Sequence, residues 1–202
     1  TSLSSLSDNV SMNFSEENLE SFVFNNATDS VSFYDGDLIF MFNFDDYTRA
    51  NDTSRYGNDG NVVGATWISE GKYNGAYNFS SSANNRINTS YTDSLTTFTA
   101  CAWAKPTYSG VTGIIISKDI SSSRGWVLRQ EFATDTFRIE ANGAVVLDGT
   151  TTIVPGNWYW VCYRSTGSNI ALFVNGEIEN SGGTSINSNS GLVEIGWRNL
   201  VG

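Results

Sequence analysis

Catalysis by side chains requires groups that accept or donate protons, and this sequence contains few of them at a productive spacing. Histidine, the commonest general base and transition-metal ligand, is absent from the 202 residues. Glu177 and Glu179 alternate in GEIEN (176–180), so both carboxylates would lie on one face of a strand. Paired carboxylates can hydrolyse glycosidic bonds, but this pair lies beside an Asn-Gly turn with no Asp between its members. We therefore predict no catalytic residues and a protein that is not an enzyme.

The two cysteines are candidates for a covalent cross-link rather than for catalysis. Cys101 and Cys162 lie in the strand-like runs FTACAWA and WYWVCYR. Two cysteines are too few for a disulfide scaffold. They are interpreted either as one buried disulfide or as two packed thiols.

The charge balance narrows the range of partners. Twenty-one acidic residues against eleven basic ones give a net charge of −10, whereas binding to nucleic-acid phosphates requires clusters of Lys and Arg. An acidic surface is also repelled by anionic membranes, and no run approaches the roughly 18 apolar residues of a membrane span. We predict neither a nucleic-acid nor a membrane partner.

Apolar residues recur with a period of two along most of the chain, which is typical of β-strands. Strands are predicted at 38–44, 75–79, 97–104, 113–117, 126–132, 137–141, 144–148, 158–164, 169–175 and 192–197. Asn142-Gly143 and Asn175-Gly176 each separate two such runs and predict type I′ hairpins. Helical periodicity occurs only at 15–24, while 21–25 and 30–34 also have the pattern of short strands. The pattern predicts an all-β fold, an antiparallel two-sheet jelly-roll sandwich with an extended N-terminal arm.

Six motifs follow one another in an order that points to a family. They are LIFMFNFDD, NDTSRYGNDGNVVG, GAYNFS, FTACAWAKP, GNWYWVCYR and IALFVNGE. In this order they resemble the LamG-like jelly-roll domains of the concanavalin A-like lectin/glucanase superfamily, over about Leu38 to Trp197. The resemblance implies a fold rather than a function, because this fold carries lectins, glycosidases, adhesins and structural modules.

Two further features of the sequence concern the aromatic residues and the catalytic motif of related enzymes. The aromatic side chains Trp103, Trp158, Phe40, Phe42 and Phe44 are interpreted as core between two sheets, with sugar stacking as the alternative. Glucanases of the superfamily carry an E-x-D-x-E or E-x-D-x-x-E run, which this sequence does not contain.

No cofactor is predicted to be required, but relatives can hold Ca²⁺ in the acidic loop that follows the first strand. The matching residues here are Asp52, Asn58 and Asp59, with Asp45 or Asp46 nearby in sequence. Carboxylate and amide oxygens suit this hard ion. The alternative is a loop held together by bonds from its own side chains to the backbone.

The chain contains six N-glycosylation sequons, all before residue 91, at Asn9, Asn13, Asn26, Asn51, Asn78 and Asn88. Asn78 and Asn88 alternate with apolar neighbours, so their side chains are expected to face solvent. We expect a glycosylated extracellular protein, either secreted or on the cell surface.

Residues 1–36 are interpreted as an arm and a candidate donor strand, and residues 37–202 as the LamG-like jelly-roll domain. The resemblance implies a closing strand after the strand resembling LVEIGW, and since only a few residues follow that strand here, we expect an open sheet edge. Either residues 1–36 of the same chain fold back over the open edge, or the arm of a neighbouring copy covers it. In the second case the head-to-tail contact propagates as a filament. The apolar residues predicted to form this assembly strand are Val10, Met12, Phe14, Phe22 and Phe24.

Two functions from different classes therefore compete. The first is an extracellular, glycosylated structural subunit that assembles with copies of itself by exchange of the N-terminal strand. The alternative is a monomeric carbohydrate-binding, lectin-like adhesion module whose partners are glycans. Loss of the arm would prevent assembly of a structural subunit but would leave a lectin able to bind.

Overall fold

The computed structural model describes residues 22–25, 30–33, 36–80, 85–120, 122–187 and 189–196. Within these ranges every regular element is a β-strand, and no helix is present that could cross a membrane. The strands are β1 (Phe22–Asn25), β2 (Ser30–Phe33), β3 (Asn61–Val63), β4 (Thr66–Ile68), β5 (Ala76–Asn78), β6 (Arg86–Asn88), β7 (Thr97–Ala104), β8 (Gly113–Ile120), β9 (Ser123–Glu131), β10 (Thr136–Ala141), β11 (Val145–Asp148), β12 (Tyr159–Thr166), β13 (Asn169–Val174), β14 (Glu177–Gly183) and β15 (Glu194–Ile195).

Two larger sheets form the sandwich, which confirms the predicted all-β jelly-roll fold. One sheet has seven strands in the order β11-β10-β9-β8-β15-β6-β3, and the other has four in the order β14-β13-β12-β7. Two further sheets are two-stranded, one formed by β1 and β2 and one by β4 and β5. All strand pairs within these sheets are antiparallel.

The core lies between the two larger sheets. From the four-stranded sheet, β12 and β13 contribute Val161, Tyr163, Ile170, Leu172 and Val174; from the seven-stranded sheet come Ile116, Trp126, Leu128, Phe137 and Ile139. These residues alternate with residues of the opposite face, because successive side chains of a strand point to opposite sides of the sheet. The outer faces are therefore available for polar and functional residues.

Both predicted hairpins are confirmed. Asn142 and Gly143 have φ of 57° and 69° and join β10 to β11, while Asn175 and Gly176 have φ of 54° and 92° and join β13 to β14. Two consecutive residues with positive φ define the type I′ turn, whose twist matches that of the flanking strands.

The prediction of a strand at 38–44 is wrong. The residues from 38 to 46 belong to no strand, and Phe44 has a positive φ of 59° that interrupts the extended backbone. The Met41 amide donates to Asp52 Oδ1 at 2.9 Å. It therefore bonds to a side chain where a strand residue would bond to the backbone of a neighbouring strand. The Met41 carbonyl in turn accepts the Thr53 amide at 2.8 Å. A loop, not a strand, thus satisfies this part of the backbone.

The helical interpretation of 15–24 is also wrong where it can be compared. Phe22–Asn25 is strand β1, paired with β2 in the register Phe22 opposite Phe33. The alternative short strands at 21–25 and 30–34 are confirmed at 22–25 and 30–33. β-Branched and aromatic residues dominate both segments, and these residue types favour strands over helices.

Candidate functional site

The outer face of the four-stranded sheet carries an unusual row of side chains, contributed by its edge strand β7 and by β12. Val161 and Tyr163 of β12 point into the core, so the residues that alternate with them point away from it. The antiparallel register sets three pairs opposite one another on this outer face: Thr99 with Arg164, Cys101 with Cys162, and Trp103 with Trp160. We call these pairs the outer-face ladder.

An open cleft of about 450 Å³ lies at the tryptophan end of the ladder. We call it the aromatic cleft, and the residues that line it are Tyr73, Trp103, Trp160, Asn175 and Gly176. The Trp103 and Trp160 ring centroids are 5.5 Å apart, and the Tyr73 ring stands edge-on to Trp103 at 6.0 Å. Tyr73 is 75% exposed. Trp103 and Trp160 are half-buried, so the cleft presents aromatic surface to solvent mainly through Tyr73.

The β13–β14 hairpin holds the wall of the cleft against β12. The Trp160 amide donates to Asn175 Oδ1 at 3.0 Å, and the Asn175 amide donates to the Trp160 carbonyl at 2.7 Å. Gly176 supplies the second positive φ of the turn, and a Cβ placed there would have no heavy atom within 4 Å. The turn therefore fixes the Trp160 backbone and leaves the space above Gly176 open.

A disulfide joins the two strands one rung away from the tryptophans. Cys101 and Cys162 are bonded, with their Cα atoms 4.1 Å apart. This short Cα–Cα distance is typical of a non-hydrogen-bonded pair in an antiparallel sheet, in which the two residues lie closer together than in a hydrogen-bonded pair. Of the two possibilities predicted for these cysteines, the structure contains the disulfide. It ties the edge strand β7, which carries Trp103, to β12, which carries Trp160.

Three cations lie over aromatic rings on the same face. Lys72 Nζ is 4.5 Å from the Trp103 ring centroid, Lys105 Nζ is 5.8 Å from that of Trp158, and Arg164 Cζ is 4.8 Å from that of Phe173. Such contacts are attractive because the ring face is electron-rich. The outer face thus combines aromatic surface with positive charge.

This arrangement corrects the prediction that the tryptophans are core. Trp103 and Trp158 are half-buried and lie outside the core cluster, and Trp103 faces the cleft. Phe40 packs on the core, and Phe42 stacks with Phe44 at 5.9 Å. Residues that the sequence did not single out for the site are Tyr73, Trp160 and, except as a turn residue, Asn175.

The residues predicted to bind calcium do lie together in the loop that precedes β3, but they bind the loop itself. Asp52 Oδ1 accepts the amides of Met41 and Ser54. Asp52 Oδ2 accepts the Ser54 hydroxyl and the Asn58 amide, each at 2.7 Å. Asp59 Oδ1 accepts the Asp52 amide at 2.8 Å. A carboxylate has about four lone-pair positions, so the protein occupies all those of Asp52.

The remaining oxygens of this loop do not complete a metal site. Asn58 Nδ2 donates to the Ile39 carbonyl, and Asp46 accepts the Thr48 amide and hydroxyl. These two Thr48 bonds lower the pKa of Asp46. No group of three or more acidic, Cys or His residues that could hold a metal occurs in the described ranges. In this arrangement the loop does not fit a calcium ion, and it matches the alternative of a loop held by its own side chains.

The carboxylate pair Glu177 and Glu179 does not form a catalytic dyad. Glu177 is exposed, whereas Glu179 accepts the Thr150 amide at 2.9 Å and the Thr151 amide at 3.1 Å. Glu179 therefore anchors the loop that follows β11.

A second carboxylate pair, which the sequence analysis did not identify, lies on the outer face of the seven-stranded sheet. Arg129 Nη2 is 2.6 Å from Glu131 Oε2 and also 2.6 Å from Glu140 Oε1. Arg138 adds a contact to Glu131 at 2.7 Å and to Asp148. Both glutamates are buried. Their charges are thus neutralised within a buried ion-pair network, which is typical of a structural role.

The structure describes three of the six predicted glycosylation sites. Asn78 is exposed, as expected, whereas Asn88 is half-buried and its Oδ1 accepts Arg86 Nε at 2.9 Å. Asn51 Nδ2, the atom to which a glycan would be attached, donates to Asp46 Oδ2 at 3.2 Å. Asn9, Asn13 and Asn26 lie outside the described residues.

The predicted assembly strand is described only in part. Phe22 and Phe24 belong to β1, which pairs with β2 of the same chain. Val10, Met12 and Phe14 lie outside the described residues. Strand exchange between copies therefore stays a prediction.

Comparison with known proteins confirms the family. The family model of the concanavalin A-like lectin/glucanases superfamily matches residues 74–202, which is more than half of the chain. The chain belongs to this superfamily. No curated protein sequence matches it.

Solved structures share the fold at low sequence identity. Domain 4 of an extracellular arabinanase from Geobacillus stearothermophilus, determined in complex with arabinotriose, superposes with a TM-score of 0.60 at 13% identity, covering 81% of this chain and 84% of that one. The binding domain of botulinum neurotoxin serotype D superposes with a TM-score of 0.57 at 16% identity, covering 78% of this chain and 42% of that one. The chain thus spans less than half the length of the neurotoxin domain.

Proposed function

We propose that this protein is a carbohydrate-binding module and that a saccharide occupies the aromatic cleft. The observation that carries the proposal is a cluster of three aromatic side chains, the exposed Tyr73 and the half-buried Trp103 and Trp160, around one open cleft on the outer face of a sheet. Large aromatic surfaces are normally buried, and contiguous exposed ones mark interaction sites.

The chemistry of the cleft suits a sugar ring. A pyranose or furanose has an apolar C–H face that can pack on Trp160 or Tyr73, and hydroxyl groups that require hydrogen-bond partners. Beside the aromatic surface, the exposed turn at Asn175 and Gly176 offers amide and backbone groups at the rim. The solved arabinanase domain of the same fold, in complex with arabinotriose, supports a saccharide as the ligand class.

A binding role fits the described carboxylates better than a hydrolytic one. Glu131 and Glu140 are close together, yet Arg129 bridges them and both are buried. Substrate could not reach them without disruption of the ion-pair network. The non-enzymatic role predicted from the sequence is therefore part of this proposal.

The proposal includes a location outside the cell. A disulfide persists in oxidising compartments and is rare in the cytosol of most organisms, and Cys101 is bonded to Cys162. An extracellular module of this kind would bind glycans of a cell surface or of a polysaccharide matrix.

Screening of the full chain on a glycan array, followed by calorimetric titration of the best ligand, tests the proposal. Tyr73→Ala should weaken binding at least about tenfold, or roughly 1.4 kcal/mol. Tyr108→Ala is the matched control, because Tyr108 is 71% exposed but does not line the cleft. Equal affinities of the two variants would contradict the assignment of the cleft. Absence of binding to any glycan would contradict the function.

A further inference from the structure

The outer face of the four-stranded sheet, around the aromatic cleft, carries positive charge in a protein that is otherwise acidic. Lys72, Lys105 and Arg164 all lie on this face, although the chain has a net charge of −10. Within the described ranges, none of the three has a carboxylate oxygen within 4.0 Å. Positive charge is therefore concentrated where the proposed ligand would bind.

Most other described cations have internal partners. Those in ion pairs are Arg49, Arg86, Arg124, Arg129 and Arg138. Lys118 is buried and its ammonium donates to the Thr92 and Gly191 carbonyls. Apart from Lys72, Lys105 and Arg164, only Arg55 among the described cations is stacked on a ring, that of Tyr56 at 4.9 Å, and it belongs to the Asp52 loop.

The three cations bracket the aromatic cleft. Arg164 lies two rungs along β12 from Trp160, and Lys105 directly follows the last residue of β7, two residues beyond Trp103 in the other direction. With about 3.4 Å per residue in an antiparallel strand, the row from Lys105 to Arg164 extends about 20 Å. Lys72 lies beside the cleft, over the Trp103 ring. An oligosaccharide placed along the row would meet positive charge on both sides of its stacked ring.

We infer that the ligand is an anionic saccharide, one that carries carboxylate or sulfate groups, and this inference rests on the proposed function. An exposed cation over a ring gains little, so it can exchange that contact for a charge-assisted hydrogen bond to a bound anion. The flexible side chains of Lys72 and Lys105 can each bring an ammonium group to a bound anion. The planar guanidinium of Arg164 can bind the anion with two parallel hydrogen bonds. The aromatic rings supply the stacking surface and the cations select the charged sugar.

The experiment titrates the full chain, at low and at physiological salt, with four probes of similar length. They are tetragalacturonate as a carboxylated sugar, a heparin-derived tetrasaccharide as a sulfated one, neutral maltotetraose, and a single-stranded DNA tetranucleotide. We expect one or both acidic sugars to bind at least tenfold more tightly than maltotetraose, with an affinity that falls as salt increases. The relative affinity of the first two probes distinguishes carboxylate from sulfate.

Variants connect this selectivity to the ladder. Lys72→Ala and Arg164→Ala should each weaken binding of the acidic sugar about three- to tenfold and reduce its salt dependence, because each removes one cation that faces the bound anion. Arg55→Ala is the control, since it removes a ring-stacked cation outside the ladder. If Lys72→Ala and Arg164→Ala behave like Arg55→Ala, the inference is wrong.

The outcomes separate the inference from the proposed function. Equal binding of neutral and acidic sugars, with loss of both in Tyr73→Ala, would overturn the anionic class and leave the carbohydrate-binding function intact. Binding of DNA as tight as that of the acidic sugar would overturn a saccharide-specific site. If no probe and no arrayed glycan binds, both the inference and the proposed function fail.

Discussion

Tyr163 is the largest fully buried side chain of the described core, yet its hydroxyl has no hydrogen-bond partner among the described residues. A buried polar group without a partner costs about 1–3 kcal/mol. Tyr159, four residues earlier in β12, differs because its hydroxyl accepts the Val154 amide at 2.8 Å. The same phenol is thus unfavourable at one position and satisfied at the other.

We expect Tyr163→Phe to raise the free energy of unfolding at pH 7 by about 1 kcal/mol, because it removes the unsatisfied hydroxyl and keeps the ring. Tyr159→Phe is the matched control and should lower the free energy of unfolding, since the Val154 amide loses its acceptor. Urea titration followed by tryptophan fluorescence measures both. A destabilised Tyr163→Phe variant would show that the hydroxyl has a partner in solution.

The same residue predicts a response to alkaline pH. Burial raises the pKa of Tyr163 well above its ordinary value of 10.0. Above pH 10 the unfolded chain therefore loses a proton that the folded chain keeps, so the free energy of unfolding falls as pH rises. Urea titrations at pH 9, 10 and 11 should show a shallower decline for Tyr163→Phe than for the natural chain. Parallel declines would contradict the assignment to Tyr163.

At the scale of elements, the pairing of β7 with β12 decides the shape of the site. β7 is an edge strand of the four-stranded sheet, so only one of its sides is hydrogen-bonded within that sheet. The Cys101–Cys162 disulfide cross-links it one rung from the Trp103–Trp160 pair. Covalent attachment at this position limits how far the edge strand can separate from its neighbour.

Replacement of both cysteines by alanine should lower the free energy of unfolding by about 4 kcal/mol, the chain-entropy estimate for a cross-link between residues 61 apart. Glycan affinity should also fall, because Trp103 is carried on the released edge. Calorimetric titration at a temperature well below the melting temperature of the variant measures the loss of affinity separately from the loss of stability. Unchanged affinity would mean that the hydrogen bonds of the ladder position Trp103 without the disulfide.

The hydrogen bonds of the loop around Asp52 predict that calcium does not bind there, in contrast to the calcium site that the sequence suggests. Its four accepted hydrogen bonds hold the loop, so addition of CaCl₂ or EDTA should leave the melting temperature unchanged. Asp52→Asn should destabilise the fold by about 2 kcal/mol, because an amide cannot accept on both sides. Differential scanning calorimetry checks both, with the exposed Asp93→Asn as control. A rise in melting temperature with calcium would contradict this prediction and support a calcium site in the loop.

The sequence predicts the regular elements better than it predicts their faces. The predicted strand 97–104 coincides with β7, and both Asn-Gly hairpins follow from turn chemistry. In WYWVCYR, however, both alternating faces are apolar, with Trp160 and Cys162 on one face and Val161 and Tyr163 on the other. Alternation alone therefore does not show which face is core, and the prediction that the tryptophans are core places them on the wrong face. β3, β4, β6 and β14 are too short or too polar for a periodic signal.

For the whole molecule, the distribution of charge is the main feature that the fold adds to the composition. The net charge of −10 is known from the sequence, but the clustering of Lys72, Lys105 and Arg164 depends on how β7, β12 and the loop before β5 meet. The buried network of Arg129, Glu131 and their neighbours similarly requires the register of β9 with β10. Such groupings arise from pairing between distant segments, which local patterns do not encode.

The same charge bears on the choice between a monomeric module and a filament. A large net charge opposes close packing of identical copies, and β1, the described part of the predicted assembly strand, already pairs with β2 of its own chain. We therefore expect the full chain to sediment as a monomer of 22.0 kDa over a wide concentration range at physiological salt. Species that grow with concentration, and that disappear in a Val10→Ser, Met12→Ser and Phe14→Ser triple variant, would instead establish strand exchange. Asn9→Gln is the control, because it changes the same segment without altering its apolar face.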